Sequence, residues 1–462
     1  MNLLKIAWRN FCHRPLSSIL TTLSLALGVG LVVIVVSLYG LVRDAFNRNA
    51  NVGYNLVVGP PGSDLQIVLN SVFYLSQPVE NLDYTYYMRF MPQSERAEQV
   101  QAFGGDPSLA QSDGEFATAV AEGYAIPLAL GDYFGKFRLV GTTPAFFEKL
   151  RYGENVDTPY AFRQGRNFET HSESNGYFEA VMGHRVAREM NVSVGDVINP
   201  THGDPNDGKR HKEGFTVVGI LAPTGTPQDR AAFVNLEGFY LMDGHANDVD
   251  VDESAVVPPV AATNETLRAE DRYDELIPLT IPEREVTAIL VKTGFFYGVG
   301  LQNQIQESKL ARAAAPVSQI QLLLEAVVGR LQYWLLRISM VTCFVAAVGV
   351  LVAIYNSMND RRRDLAIMRA LGARRSTVTA VIVLESMLIA VIGGLAGFAG
   401  AHGLLYLGRD AIEDQTGVTV GLFDVSPIEI YIVPVVLGLS LMAALLPAVV
   451  AYRTDVASNL NP

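Results

Sequence analysis

The apolar residues of this chain are gathered at its two ends. Leu16 to Val42 holds no charged residue and is bracketed by Arg14 and Arg43. Ile338 to Asn359 and Ile430 to Tyr452 are equally free of charge, and Ser376 to Gly408 carries a single charged residue, Glu385. A helix needs about 20 apolar residues to cross roughly 30 Å of hydrocarbon, and every one of these runs is long enough. A soluble helix of such length keeps a polar face, which these lack. The pattern predicts transmembrane helices at residues 16–42, 334–359, 377–407 and 429–452. The first reads as an uncleaved anchor, because its apolar run is about twice that of a signal peptide.

Positive charge orients the spans, since cytoplasmic loops are enriched in Lys and Arg. Lys5, Arg9 and Arg14 precede the first span. Arg361, Arg362, Arg363, Arg369, Arg374 and Arg375 lie between the second and third, against only Asp360 and Asp364. The 408–428 loop holds Arg409 against Asp410, Glu413, Asp414 and Asp424. Both termini (residues 1–15 and 453–462) and the 360–375 segment are therefore placed in the cytoplasm, with residues 43–330 outside.

Within that outside segment the pattern changes to short strands between turn signals. Asn55–Gly59 stops at Pro60-Pro61-Gly62, and Lys136–Gly141 alternates before Thr142-Thr143-Pro144, which opens a helix over Ala145–Leu150. Glu179–Met182 leads through Gly183 into a helix ending near Met190. Asp196–Ile198 and Gly214–Leu221 read as a strand pair around a polar loop, and Glu285–Lys292 as the last strong strand. Short strands with a few helices predict an α+β domain. Leu301–Arg330 is helical in composition, with Pro316 as its expected kink, and Tyr39–Asn49 continues the first span outward. The expected fold is thus an α+β membrane protein: four transmembrane helices, and a large extracytoplasmic α+β domain on a two-helix stalk.

Composition narrows the function. Of 462 residues, 49% are hydrophobic and 18% charged, with a net charge of −12. Residues 44–330 hold 22 Lys or Arg against 38 Asp or Glu, a local charge of −16. No basic surplus exists to neutralise phosphates, so nucleic acid is not an expected partner. The two cysteines, Cys12 and Cys343, cannot make a disulfide framework. Neither H-E-x-x-H nor G-x-S-x-G occurs. The Walker-like string Gly203–Arg210 has Arg210 where a Mg²⁺-binding hydroxyl is required, and reads as a hairpin loop. His171, His184, His202 and His211 are scattered, with His202 and His211 flanking that loop. Such histidines are ordinarily solvated, and Asp248–Glu253 reads as an exposed acidic loop, so no catalytic, cofactor or metal residues are assigned.

The order of several fragments resembles the MacB/FtsX-like family of ABC transporter permeases. Leu3–Phe11 with Arg14-Pro15-Leu16 is similar to the family's interfacial helix. Leu139–Phe147, Arg163–Arg166, Val181–Gly183, Val194–Asp196 and Phe215–Gly219 are similar, in order, to its periplasmic core domain. Arg361–Ala373 resembles the cytoplasmic element that meets the ATPase, and Glu385-Ser386, Gly393-Gly394, Gly397, Leu446–Ala448 and Tyr452-Arg453 complete the likeness.

Several residues acquire expected roles. Leu365, Met368 and Leu371/Gly372 recur at helical spacing beside Arg363, Arg369 and Arg374, an apolar stripe with a basic rim. Topogenic charge alone would account for the arginines, but the resemblance implies an ATPase-coupling helix carrying Asp364, Leu365, Met368, Arg369, Leu371 and Gly372. Leu4, Trp8 and Phe11 share one face, as in a helix lying in the inner interface. Gly393, Gly397 and Gly400 form a small-residue face for close helix packing. Glu385 is an intramembrane carboxylate for which a structural role is favoured over an ion relay.

The resemblance implies a non-catalytic membrane subunit in a bacterial inner or plasma membrane, with ATP and Mg²⁺ bound by a separate ABC ATPase subunit. Further partners would be a second permease copy or a related permease, membrane lipid, and an extracytoplasmic adaptor or substrate protein. The cargo would be a lipoprotein, lipid, peptide or amphipathic drug. An FtsX-like signalling protein that controls an extracytoplasmic cell-wall hydrolase is the alternative.

Overall fold

The computed structural model describes residues 3–360 and 374–409, except 14, 51–52, 79, 154–155, 204–207, 243, 246–277 and 295, together with residues 412, 434 and 438. The chain divides into two compact units, Met1–Asp44 with Leu324–Pro462, and Ala45–Leu323.

The Ala45–Leu323 unit is built on a mixed sheet of twelve strands: β1 (Leu56–Gly59), β2 (Tyr124–Phe134), β3 (Phe137–Thr142), β4 (Phe162–Gly165), β5 (Glu179–Met182), β6 (Val197–Ile198), β7 (Thr201–His202), β8 (Lys209–Arg210), β9 (Phe215–Leu221), β10 (Ala231–Asn235), β11 (Ala288–Lys292) and β12 (Arg312–Ala314). The main order is β12-β1-β11-β2-β3-β10-β5-β9-β4, with β6 on β9, β7 on β2 and β8 on β7. Two pairs, β3 with β10 and β5 with β9, are parallel, and the remaining neighbours are antiparallel.

Because side chains alternate across a strand, β10 feeds two cores. Ala232 and Val234 join a cluster containing Met88, Phe90, Phe116, Leu139 and Phe239. Phe233 points the other way, its ring 4.9 Å from Phe146 and 5.1 Å from Phe147. Those two rings sit on the short helix Ala145–Lys149, which starts directly after Pro144. Every residue of β3 and β10 is buried, so neither strand presents a solvent face, although Lys136–Gly141 reads as alternating.

Several expected elements appear with shifted ends, and two are rearranged. The Val197–Ile198 and Phe215–Leu221 strands pair antiparallel as the polar-loop reading requires, and Thr201–His202 pairs with Lys209–Arg210. The expected strand Glu285–Lys292 breaks at Thr287. Glu285-Val286 pairs with Leu82-Asp83, whereas Ala288–Lys292 joins the main sheet. Leu301–Arg330 is not one kinked helix. The helix Gly298–Ser308 ends at Lys309, which is left-handed at φ 57°, and the chain then pairs Arg312–Ala314 onto β1. Pro316 begins the next helix, Pro316–Leu323, instead of bending one, since its missing N–H costs nothing in a first turn. The longest strand, β2, carries Pro127 and Gly131, residues that punctuate sequence patterns. Its register with β3 shifts between Leu130 and Tyr133, so a bulge places Asp132.

Two buried carboxylates anchor this unit. Glu237 takes a bidentate pair from Arg284 at 2.9 and 2.7 Å. The guanidinium carbon sits 3.6 Å from the Phe103 ring centre. Burial pushes the Glu237 carboxyl up, against the pull of the Arg284 guanidinium. Glu179 at the start of β5 accepts from Arg166 at 2.8 and 2.7 Å, from Asn175 at 2.9 Å and from the Glu169 amide at 3.0 Å. Burial alone would raise its pKa, but these donors outweigh it and hold the group at about 2, below its ordinary 4.5.

Two outcomes follow for the full chain in detergent. Glu237→Ala strands a buried guanidinium and should lower stability by about 3–5 kcal/mol, read by calorimetry, whereas Glu237→Met/Arg284→Met should recover much of that loss. A Glu237→Ala protein as stable as wild type would contradict the clasp. Glu179 has a depressed folded pKa, so its contribution is complete above about 4.5 and fades as pH falls through about 2. Wild-type melting temperature should therefore fall across that window more steeply than that of Glu179→Gln; parallel profiles would contradict the assignment.

Candidate functional site

In the Met1–Asp44 and Leu324–Pro462 unit, two helices are long and apolar enough to cross a membrane, through Ser18–Leu41 and Thr379–Leu407. A third long helix, Arg330–Asp360, carries the charge-free Ile338–Asn359 run. The helix Pro15–Ala50 is divided by face. Leu25, Val29 and Val33 are buried, while Leu16, Ile19, Leu20, Leu23 and Leu27 are each more than half exposed. A water-exposed helix does not present such a stripe, whereas lipid accepts it. Hydroxyls along the helices bond back to the preceding turn, Thr21 to Ser18 O, Ser37 to Val33 O and Thr342 to Ile338 O, so these three need no partner from hydrocarbon.

Gly393 and Gly397 lie where the helix Arg375–Leu407 meets the helix Pro15–Ala50. A Cβ on Gly393 would stand 3.0 Å from Thr22 O, and one on Gly397 only 2.4 Å from Ala26 O. Only glycine permits that backbone approach, the use small residues serve between membrane helices. Gly400 has nothing within 4 Å of its Cβ position, so the tight contact ends at Gly397. Glu385, on the same helix, is half-buried and partnered, beside the fully buried Ser386.

The helix Leu3–His13 also packs on the helix Arg375–Leu407. Ala7 is its buried position; Leu4 and Trp8 are half exposed, and Trp8 stacks on Phe11 at 5.9 Å. Near the start of Arg330–Asp360, Arg337 lies over the rings of Tyr333 and Trp334 at 4.4 and 5.6 Å. Arg409 lies over Tyr406 at 4.4 Å. Aromatic and basic side chains of this kind concentrate at bilayer surfaces. Asp364, Leu365, Met368, Arg369, Leu371 and Gly372 lie outside the described residues. So do Asp248–Glu253 and the last span apart from Pro434 and Gly438.

The Ala45–Leu323 unit holds a polar cluster that the sequence reading had as scattered, solvated histidines. His202 stands opposite Asp132 across the β7–β2 pair. His211 follows β8, its amide bonded to Pro200 O at 2.9 Å. His245 arrives from the turn after the helix Leu236–Tyr240, past Gly244 at φ 88°. Asp132 is fully buried and His211 is 8% exposed. Burial would raise the Asp132 pKa, yet His211 and His245 outweigh that and hold it at about 2, a carboxylate. The pairing of His202 with His211 around one loop was the only signal in the sequence. Asp132 and His245 join them only through the fold. His171 stays apart, against Tyr177.

Two family models match the chain. The MacB-like periplasmic core domain covers residues 18–270, more than half of it, and the FtsX-like permease C-terminal domain covers residues 337–456. An ABC transporter permease of Methanocaldococcus jannaschii is 23% identical over 269 residues, 58% of this chain and 56% of that one. The macrolide export ATP-binding/permease protein MacB of Bdellovibrio bacteriovorus is 24% identical over 298 residues, 62% of this chain and 38% of that one. The pyoverdine export ATP-binding/permease protein of Pseudomonas aeruginosa is 32% identical over 89 residues, 19% and 13% of the two chains. The chain thus spans about half the length of the first relative and less of the others. With a core-domain match over the first apolar helix and most of the sheet unit, and a permease match over the later apolar helices, the chain belongs to the MacB/FtsX-like family of ABC transporter permeases.

Proposed function

We propose that this chain is the membrane subunit of an ABC complex in which a separate ATPase subunit drives movement of the extracytoplasmic domain. The observation that carries the reading is the union, in one chain, of a C-terminal permease-domain match with a MacB-like core-domain match. No Walker A motif occurs in these 462 residues. The unbroken helix Pro15–Ala50, which runs past Val42 beyond the apolar stretch, suits transmission of force along a rigid element.

Two copies, or one copy with a related permease, would pair with two ATPase subunits. The segment 360–375 would seat its apolar stripe, Leu365, Met368 and Leu371, on the ATPase, with Arg369 on an acidic rim. The cargo would be an amphipathic molecule or lipid-linked protein already outside the membrane, moved by the domain rather than passed between the helices. Export is the activity printed in the names of the macrolide and pyoverdine relatives.

Detergent pull-down from the native host, comparing wild type with Leu365→Asp/Met368→Asp, tests the coupling. The wild type should bring down a Walker-containing ATPase with measurable ATP hydrolysis, and the variant should lose it at equal expression. A folded wild type that captures no ATPase would overturn the reading.

A further inference from the structure

We propose that Asp132, His202, His211 and His245 form a binding site for a divalent transition-metal ion, zinc foremost. The four side chains come from the β2 bulge, the two flanks of the β7–β8 hairpin and the turn after Leu236–Tyr240, and their donor atoms all lie within 4.8 Å of one another. Asp132 Oδ1 is 3.0 Å from His202 Nδ1. Asp132 Oδ2 is 3.0 Å from His211 Nε2 and 3.1 Å from His245 Nε2. The imidazole centres are 5.7 Å apart for His202 and His211, 5.1 Å for His202 and His245, and 5.3 Å for His211 and His245. Zinc binds imidazole nitrogen at about 2.0–2.1 Å, so tetrahedral donors stand roughly 3.3 Å apart and ring centres about 5 Å apart. The ring centres and the Asp132 oxygen–nitrogen distances fit that spacing, and donors as far apart as 4.8 Å would draw in on binding.

A cluster held only by hydrogen bonds would leave a fault. One carboxylate serves His202 and His245 with acceptable geometry. His211 Nε2 approaches it at 3.0 Å but makes no hydrogen bond, and it is buried. A buried imidazole nitrogen that faces a carboxylate oxygen without hydrogen-bond geometry is poorly satisfied; a metal ion would supply the missing bond.

The donor set selects the ion. Three neutral imidazoles and one carboxylate suit zinc and its first-row neighbours, whereas calcium and magnesium take oxygen ligands. No thiolate is present to favour copper(I). The buried Arg138 nearby donates through Nη2 to Ser76 O at 2.6 Å and lies over the Tyr133 ring at 4.2 Å; its charge favours the Asp132 carboxylate, but it makes no hydrogen bond to it.

Second-layer contacts hold the donors in place. Asn199 donates to the carbonyls of His211, Lys212 and Glu213 at 3.4, 3.1 and 3.3 Å, pinning the strand end that carries His211. The Phe239 ring lies 4.4 Å from His245. The His202 side chain is 49% exposed while those of His211 and His245 are 5% and 8% exposed, so an ion enters from the His202 side. Four protein donors with no open position make a structural site, one that ties the hairpin and the following turn to the longest strand.

The test uses the full chain in detergent, with any polyhistidine tag removed, stripped with chelator and then titrated with zinc chloride. Wild type should bind one zinc ion per chain by elemental analysis and calorimetry. Asp132→Ala and His211→Ala/His245→Ala should each weaken binding by more than about tenfold, since even outer-layer changes at metal sites cost that much. His171→Ala should bind as wild type does. Cobalt(II) added to stripped wild type should give the visible bands of a tetrahedral nitrogen–oxygen site, a readout independent of whether the variants fold. Absence of stoichiometric zinc in wild type, equal loss in His171→Ala, or an octahedral cobalt spectrum would each overturn the proposal.

Discussion

Arg284 is 1% exposed, and a guanidinium taken out of water costs several kcal/mol unless a carboxylate meets it in good geometry. That requirement organises much of the Ala45–Leu323 unit. Glu237 must project from the helix Leu236–Tyr240 to make the bidentate pair, and the Arg284 Nε must reach Leu279 O at 2.8 Å. Tyr84 hangs its amide on Arg284 O, Tyr240 gives its hydroxyl to Glu285 O, and Phe103 caps the guanidinium face. One ion pair therefore gathers three helices onto the segment that enters β11. With no cysteine in residues 44–330, such clasps and the two apolar faces of the sheet do the work that covalent links do elsewhere.

The helices obey a different constraint. In hydrocarbon there is no gain from apolar burial between helices, so close backbone contact and self-satisfied hydroxyls decide packing. Gly393 and Gly397 against Thr22, Ala26 and Gly30 meet the first need. The backward bonds of Thr21, Ser37 and Thr342 meet the second. The same chain thus holds one unit ordered by desolvated charge and aromatic packing, and another ordered by the absence of side chains at its tightest point.

The strands with strong alternation or continuous β-branched runs were legible because periodicity survives in one dimension: Leu56–Gly59, Glu179–Met182 and Phe215–Leu221 are all where the pattern puts them. The 201–210 hairpin was legible from its polar loop. Strand Tyr124–Phe134 was not, since Pro127 and Gly131 imitate a boundary while bulge geometry lets the strand run on. Arg312–Ala314 was hidden by helix-forming alanines whose place at the sheet edge is set by pairing with β1, a long-range contact that local propensity does not encode. The histidine cluster failed for the same reason. Two of its donors flank one loop, but Asp132 and His245 are brought in by register and by a turn.

The proposed function requires that the apolar helices lie in a bilayer, with the N-terminal helix and the sheet unit exposed on opposite faces. Cys12 is exposed on the helix Leu3–His13, and Ser174 lies in an exposed loop of the sheet unit. In a Cys343→Ser background, spheroplasts would be treated with a membrane-impermeant maleimide before and after permeabilisation. The account predicts that Ser174→Cys labels at once and Cys12 only after the membrane is opened. Equal labelling of both positions in sealed spheroplasts would contradict it.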